Sequence, residues 1–129
     1  MISGLDSRIA CVFFANFVST TAFSICAPFL PLEFERKGIA GSYVGIIFSL
    51  YAVGYILWPP IISKYAKTVS TNTLISLSLG LMGVEFICFG FIEVLESRVN
   101  ILALASILRL LHGISCSTCF TTSFLIITN

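Results

Sequence analysis

Residues 101–128 read ILALASILRLLHGISCSTCFTTSFLIIT, an apolar stretch that contains one fixed charge, Arg109, and one histidine, His112. An α-helix rises about 1.5 Å per residue, so roughly 20 apolar residues cross a hydrocarbon core about 30 Å thick. This stretch is long enough to do so. It therefore predicts a transmembrane helix that carries ionisable groups inside the membrane.

Three further stretches of the chain share this apolar character. They hold no charged residue except Glu85, and they cover residues 9–32, 42–63 and 69–92. The segments between the four stretches are short, so consecutive helices are expected to run antiparallel as hairpins. The sequence therefore predicts an all-α fold, a bundle of four transmembrane helices that forms a single domain over residues 1–129 without a soluble domain.

The overall composition supports the same fold class. Hydrophobic residues make up 57% of the chain and charged residues only 10%, and the mean hydropathy is +1.04. Soluble domains have about a quarter charged residues, so the lipid bilayer is the first partner that we expect. The net charge of +1 excludes electrostatic binding of nucleic acid. The sequence has no Gly-rich phosphate loop, catalytic triad or metal-hydrolase motif, so we expect neither an enzyme nor a cofactor.

Two pairs of prolines mark the ends of the first two predicted helices. Pro28 and Pro31 come late in the first helix, and Pro59 and Pro60 come late in the second. Proline removes a backbone donor and clashes with the preceding turn. We therefore expect both pairs to bend or break the last turns of their helices.

Gly41 and Gly45 form a GxxxG pair at the head of the second predicted helix. Small residues at this spacing let the backbones of two helices approach closely in a membrane. We therefore expect these glycines to mediate helix packing, either within the chain or against a partner protein.

Arg109 and Glu85 are expected to lie at similar depth in the membrane, on the neighbouring third and fourth helices. One interpretation is a structural ion pair that neutralises both charges inside the bundle. The other is a pair that couples protons or substrate to transport, because intramembrane charges usually mark functional sites. Snorkelling of either side chain toward the membrane surface is a third possibility.

His112 follows Arg109 by three residues, so both side chains project from one face of the fourth helix. It is the only histidine of the chain and could titrate near neutral pH, or it could simply be hydrogen-bonded to a neighbour. Cys116 and Cys119 continue the same stripe, but three ligands on one helix rarely close around an ion, so we expect no metal site. We interpret the cysteines as small buried hydrophobes: Cys11, Cys26, Cys88, Cys116 and Cys119.

The first and fourth predicted helices are the most polar ones. Hydroxyl and amide side chains in a membrane helix can connect helices or line a wet cavity. The candidates for lining a cavity are Asn16, Ser19 and Thr20 on the first helix, and Ser117 and Thr121 on the fourth.

Three motifs resemble the first part of the major facilitator superfamily of secondary transporters. The segment from Arg109 to Gly113, RLLHG, is similar to the fourth-helix signature RxxxG of that family. Residues 27–31, APFLP, with residues 41–45, GSYVG, look like its first-helix exit and second-helix start. Residues 60–65, PIISKY, lie where its loop between helices 2 and 3 should be. The PFLP segment and the Lys-Tyr pair are most similar to the vesicular amine transporter-like branch.

This resemblance implies a cytoplasmic N-terminus and a central cavity lined by the first and fourth helices. It also implies that Arg109 and Gly113 form the signature motif, with Arg109 associated with proton coupling or with keeping the cavity polar. Ser63 and Lys64 would belong to the gating loop, although Ser63 stands where the family has glycine. Amine carriers place an acid in the first helix where this chain has Ser19, so amine as the substrate is not supported.

The resemblance covers four helices of a fold that has twelve. Major facilitators rock two halves around a midplane site, and each half consists of two inverted three-helix repeats. We therefore expect an N-terminal fragment of a proton-coupled transporter of small solutes, multi-pass in a vesicular or plasma membrane, with the remaining transporter helices as partners. The alternatives are a truncated accessory subunit that packs against a membrane partner protein, and a four-helix transporter that acts as a dimer.

Overall fold

The computed structural model describes the backbone of residues 2–128 and the side chains of residues 7, 9–25 and 27–128. Within that range the chain is all-α, as predicted, with helices and turns and no β-strand. The five helices are α1 (Ile2–Arg36), α2 (Ser42–Leu57), α3 (Pro59–Tyr65), α4 (Thr71–Gly90) and α5 (Arg98–Thr128). Among the described residues, three helices are long and apolar enough to cross a membrane, or up to four if α2 and α3 form one bent span.

The second predicted helix is broken where the sequence has two consecutive prolines. α2 ends at Leu57, α3 starts at Pro59, and the two axes differ by 42°. Pro59 and Pro60 have no N–H, so the last carbonyls of α2 cannot continue the helical hydrogen-bond pattern. The Trp58 indole Nε1 donates to the Thr118 hydroxyl over 2.8 Å, which fastens the bend to α5.

The first proline pair does not break its helix. Pro28 and Pro31 lie inside α1, which continues to Arg36 instead of ending near residue 32. In a membrane, leaving the helix would expose further backbone groups to lipid, so proline within a continuous helix is tolerated. Gly38 follows the end of this helix and terminates it with a φ of +65°. Ile39 N–H then bonds to the Phe34 carbonyl over 2.8 Å, which completes a Schellman C-cap.

α5 is the central helix of the described bundle and contacts α1, α2, α3 and α4. Its closest approach is to α2. A Cβ atom added at Gly54 would lie 2.6 Å from the carbonyl oxygen of Leu110, and one added at Gly113 would come even closer to that of Tyr51. These two glycines therefore allow direct backbone contact between the helices.

Gly41 and Gly45 do not have the packing role within the chain that the GxxxG spacing suggested. A Cβ atom at either position would meet nothing within 4 Å among the described residues. The expectation of intrachain packing there is wrong, because the α2–α5 crossing lies two to three turns further along α2, at Gly54. Packing of Gly41 and Gly45 against a partner protein stays a prediction.

The apolar core lies at the end of the bundle where α1 ends and α5 begins. It contains Leu30, Phe34, Ile39, Ile47, Phe89, Ile92, Ile101, Ala105 and Leu108. The outward surface is also apolar, with many large side chains exposed on every long helix, such as Phe13, Ile56 and Ile87. An exposed apolar surface of this extent fits lipid contact.

A cluster of charged side chains lies next to this core at the end of α1. Glu33 is buried, and its carboxylate lies 3.2 Å from Arg36 Nη1 and 3.6 Å from Lys37 Nζ. The Lys37 ammonium also donates to the carbonyl oxygens of Ile92, Glu93 and Leu95 in the turn between α4 and α5. In the sequence, residues 33–38 lie between the first two apolar stretches, where a connecting loop is expected. In the structure they include the last turn of α1, and Lys37 connects that turn to the turn between α4 and α5.

Candidate functional site

The polar side chains of α5 are buried in the middle of the bundle. Arg109 is 0% exposed and His112 is 1% exposed, and Glu85 of α4 is 1% exposed. Arg109 and His112 share one face of α5, because residues three apart are neighbours on a helix. The site therefore forms where α4 and α5 pack against each other, which is the contact that the hairpin topology predicts.

The Glu85 carboxylate is held at both oxygens by α5. Its Oε2 lies 2.9 Å from His112 Nδ1, and its Oε1 accepts a hydrogen bond of 2.9 Å from the Ser115 hydroxyl. A buried carboxylate is costly unless it is paired and hydrogen-bonded. Here one helix supplies both partners, so Glu85 sits in a fixed position between them.

The contact between Glu85 and His112 can exist in two charge states. With a protonated imidazole it is an ion pair, and with a neutral imidazole it carries one net negative charge. Both side chains are 2% exposed, so bulk water does little to screen the difference. The protonation state of the imidazole therefore decides whether the charge of Glu85 is compensated within this contact.

Polar contacts continue from His112 across α5 to α2. Cys116 Sγ lies 3.8 Å from His112 Nε2. The Tyr51 and His112 rings are also in contact, with centroids 5.7 Å apart. Polar contacts thus link Glu85, His112 and Cys116, and the Tyr51 ring of α2 lies beside His112.

The Arg109 guanidinium lies among phenylalanine rings from three other helices. Its Cζ atom is 4.3 Å from the centroid of Phe48 on α2, 5.3 Å from that of Phe89 on α4 and 5.7 Å from that of Phe23 on α1. Each distance is within the range of cation–π attraction, which strengthens when the cation is removed from water. Arg109 is therefore the residue where four helices converge. Sequence reasoning missed these rings, since a phenylalanine in a membrane helix gives no signal that separates a cation contact from a lipid contact.

The structure brings Glu85, Arg109 and His112 into one region, as their expected depth in the membrane suggested. It also shows the contact between Glu85 and His112, which helical spacing alone did not identify. The hydrogen bonds of Glu85 described above go to His112 and Ser115. A direct pair between Glu85 and Arg109 stays a prediction. Ser115 was not among the candidate site residues, although its position three residues after His112 places it on the same face.

The candidate cavity residues divide into two groups. Asn16 and Ser19 lie where α1 meets α5: Asn16 Nδ2 donates to the Ser123 hydroxyl over 3.0 Å, and buried Ser19 lies 3.5 Å from Cys119 Sγ. Thr20 is exposed and donates to the carbonyl of Asn16 in its own helix. On α5, Ser117 is buried and Thr121 is half-buried. Their cavity role stays a prediction.

One half-open cavity of about 280 Å³ lies at the other end of the bundle, between the first turns of α1 and α4 and the last turns of α5. It is lined by Ser7, Cys11, Val12, Asn72, Ile75, Ser76 and Ile126. None of the candidate cavity residues lines it.

The remaining predicted features lie apart from this site. Ser63 and Lys64 are exposed on α3, and the Ser63 hydroxyl donates to the Pro59 carbonyl in its own helix. The interpretation of the cysteines as buried is right for Cys116 and Cys119 and wrong for Cys11, which is exposed, while Cys88 is intermediate. The side chain of Cys26 lies outside the described residues. Among the described side chains, no three His, Cys, Asp or Glu residues are arranged to hold a metal ion.

Comparison with known proteins identifies the family. The profile described as Major Facilitator Superfamily matches residues 12–129. This chain belongs to the major facilitator superfamily. The profile runs from the first described turns of α1 to the end of the chain, so it includes the Glu85–His112 contact and the whole RLLHG segment.

The curated relatives are three proteins named MFS-type transporter SLC18B1. The chain is 27% identical over 101 residues to the proteins of Mus musculus and Rattus norvegicus, and the alignment covers 78% of this chain and 22% of each relative. It is 24% identical over 108 residues to the protein of Homo sapiens, covering 84% of this chain and 24% of that protein. The chain thus spans about a quarter of the length of these relatives. No solved structure matches it significantly.

These relatives support the resemblance to the vesicular amine transporter-like branch. The RLLHG segment, which resembles the family signature, falls on a well-buried part of the bundle: Arg109 is surrounded by rings, and Gly113 lies against the backbone of α2. The close approach of α2 therefore requires a glycine at Gly113, and the Arg109 side chain contacts rings from α1, α2 and α4.

Proposed function

We propose that this chain contributes the first four spans of a secondary transporter of small solutes that is driven by protons, and that Glu85 and His112 together carry the coupling proton. The observation that carries this proposal is their contact of 2.9 Å deep inside the bundle. Intramembrane ionisable residues are rare and usually functional. The family is a transporter family, so a proton-binding pair in its core fits a coupling role.

The coupling would work through charge. When the imidazole is protonated, Glu85 and His112 attract each other and hold α4 against α5. When the proton leaves, one negative charge remains near the Arg109 guanidinium. The other polar groups that face the pair are Ser115, Cys116 and Tyr51. An uncompensated buried charge costs several kcal/mol. Loss of the proton would therefore alter the packing of α4, α5 and α2.

The substrate path would include segments beyond these four spans. Alternating access in related folds moves repeats against each other around a site near the bilayer midplane. The relatives are about four times as long as the matched region. We propose a cytoplasmic N-terminus and a vesicular or plasma membrane location, with the hydroxyl-bearing face of α1 and α5 contributing to the solute path.

The first experiment uses the fact that His112 is the only histidine in the chain. The protein labelled with 15N at its imidazole nitrogens would be placed in lipid nanodiscs and followed by NMR between pH 5 and pH 9. We expect one imidazole that binds and releases a proton in this range, with a transition that moves in the Glu85→Gln variant. If His112 kept one protonation state over the whole pH range, a coupling role for the pair would be contradicted.

A matched control separates the pair from general changes in the bundle. The Glu33→Gln variant removes the other acid that is buried among the described residues, which lies near the end of α1 and contacts lysine and arginine instead of histidine. We expect this variant to leave the His112 transition unchanged. An equal shift in both variants would mean that the transition reports the net charge of the protein and not the contact with Glu85.

The intact mass of the endogenous protein tests the transporter against an accessory subunit. Top-down mass spectrometry of the native membrane should find a product several times heavier than 14.0 kDa that includes this sequence. A mature species of 14.0 kDa would contradict the proposal of a longer transporter and favour a subunit that works with a membrane partner.

A further inference from the structure

The bend between α2 and α3 forms an apolar groove on the outside of the bundle. The groove has a volume of about 150 Å³ and is bounded by Val53, Leu57 and Ile61 on one side and by Leu110 and Ile114 of α5 on the other, with Trp58 at the bend. It faces away from Glu85 and His112. Its side chains take no part in the proton-binding contact.

Three features of the fold produce this groove. Pro59 and Pro60 interrupt the helix, and the Trp58 indole is fixed to Thr118 of α5 over 2.8 Å. Gly54 contributes no side chain at the floor, where its backbone approaches that of Leu110. The bend, the fixed indole and the missing side chain together leave a slot that an unbroken helix would not have.

Two lysines follow the groove toward the end of α3. Lys64 comes three residues after Ile61, so its stem lies on the same face of α3. Lys67 is in the turn that follows. Between Trp58 and Ser70 the sequence has no acidic residue. Within the described side chains, neither lysine forms a salt bridge.

We infer that this groove and the two lysines form a binding site for an anionic phospholipid. An acyl chain would lie in the groove, and the phosphate would lie between Lys64 and Lys67. The Trp58 ring would sit near the boundary of chain and headgroup, where tryptophan is enriched in membrane proteins. With a cytoplasmic N-terminus, α3 ends at the cytoplasmic leaflet, which carries the anionic lipids.

The chemistry favours a lipid over a second protein helix as the occupant. Each lysine close to a negatively charged membrane surface contributes about 1 kcal/mol of binding free energy, which increases binding by about fivefold. Both lysines are exposed and have no acidic neighbour on α3, so their charge is available to a phosphate. The site does not depend on which solute the protein carries.

Trp58 makes the test specific, since it is the only tryptophan of the chain. The whole chain would be reconstituted in phosphatidylcholine vesicles that contain increasing fractions of brominated lipid, and its fluorescence would be followed. Bromine quenches tryptophan on contact. We expect brominated phosphatidylglycerol to quench Trp58 at a mole fraction at least fivefold lower than brominated phosphatidylcholine. Equal quenching by the two lipids would overturn the inference, because it would show ordinary lipid contact without headgroup selection.

Two single-charge variants complete the experiment. Lys64→Gln should reduce the preference for phosphatidylglycerol by about fivefold. Arg36→Gln removes one exposed positive charge at the C-terminal end of α1, away from α3, and should leave the preference unchanged. If both variants reduce it equally, net charge and not the site explains the selection, and the inference fails. If neither brominated lipid quenches Trp58, a protein segment covers the groove, and the inference fails as well.

Discussion

The two buried glutamates of this chain are placed in different electrostatic surroundings. Glu33 lies at the end of α1 beside the Arg36 guanidinium and the Lys37 ammonium. Glu85 lies in the middle of α4 beside His112, whose charge depends on a proton. The first cluster also ties two turns together through the carbonyls that Lys37 contacts. Glu33 thus belongs to a cluster that ties the end of α1 to the turn between α4 and α5, while Glu85 connects α4 directly to α5.

The largest expected effect comes from removing Glu85. The Glu85→Ala variant leaves His112 Nδ1 buried without its carboxylate partner, while the Ser115 hydroxyl keeps the Leu111 carbonyl as acceptor. Breaking a buried pair by removing one partner costs about 3–5 kcal/mol. We expect the free energy of unfolding in detergent to fall by that amount at neutral pH. A loss below about 1 kcal/mol would mean that the site is wet enough to replace the carboxylate with water.

Replacement of Lys37 should have the next largest effect. Lys37→Met keeps the apolar stem but removes the donor to three carbonyl oxygens and one partner of Glu33. We expect a loss of about 1–3 kcal/mol in unfolding free energy. Hydrogen exchange should also become faster at the amides of residues 91–97, with no change at Glu85. Exchange that increases equally along α4 would contradict a local role for Lys37.

The Ser115→Ala variant sharpens the account of Glu85. It removes one hydrogen bond to the carboxylate and keeps the contact with His112. We expect a loss of about 1 kcal/mol in unfolding free energy and a shift in the pH at which His112 binds its proton. Ser117→Ala, at a buried hydroxyl without contact to Glu85 within the described residues, is the matched control and should leave the His112 transition in place.

The smallest effect is expected at Arg36, in the same cluster as Lys37. Its side chain is 69% exposed, and it pairs with Glu33 from one turn away. Exposed pairs at this spacing contribute about 0.5 kcal/mol or less. Arg36→Gln should therefore leave the unfolding transition almost unchanged at ordinary ionic strength. A loss as large as that of Lys37→Met would show that Glu33 depends on both of its cations.

Much of the site was visible in the sequence, but its connections were not. Arg109 and Glu85 stand out because fixed charges are rare in apolar stretches, and His112 follows from helical spacing. The rings around Arg109 come from three other helices, and no local pattern marks them. Similarly, a GxxxG pair indicated Gly41 and Gly45, while the close contact uses Gly54 and Gly113 from two different helices.

The prolines show the same limit within single helices. Pro59 and Pro60 are adjacent, so two successive donors are missing and the helix breaks there. Pro28 and Pro31 are separated by nearly one turn, and the remaining hydrogen bonds keep α1 continuous. Composition identifies both pairs as possible bends. The energetic balance between lost hydrogen bonds and exposed backbone decides which pair breaks its helix.

The sequence by itself determined that this is an all-α membrane protein, where its apolar stretches lie and which charges are inside them. Those properties follow from the transfer of each stretch from water to lipid, and that free energy depends on local composition. The tertiary structure decided which group holds each buried charge. A rotation of α5 or a shift along its axis by one turn would give Glu85 a different partner, and only the packing of glycines and rings between helices sets that rotation and depth.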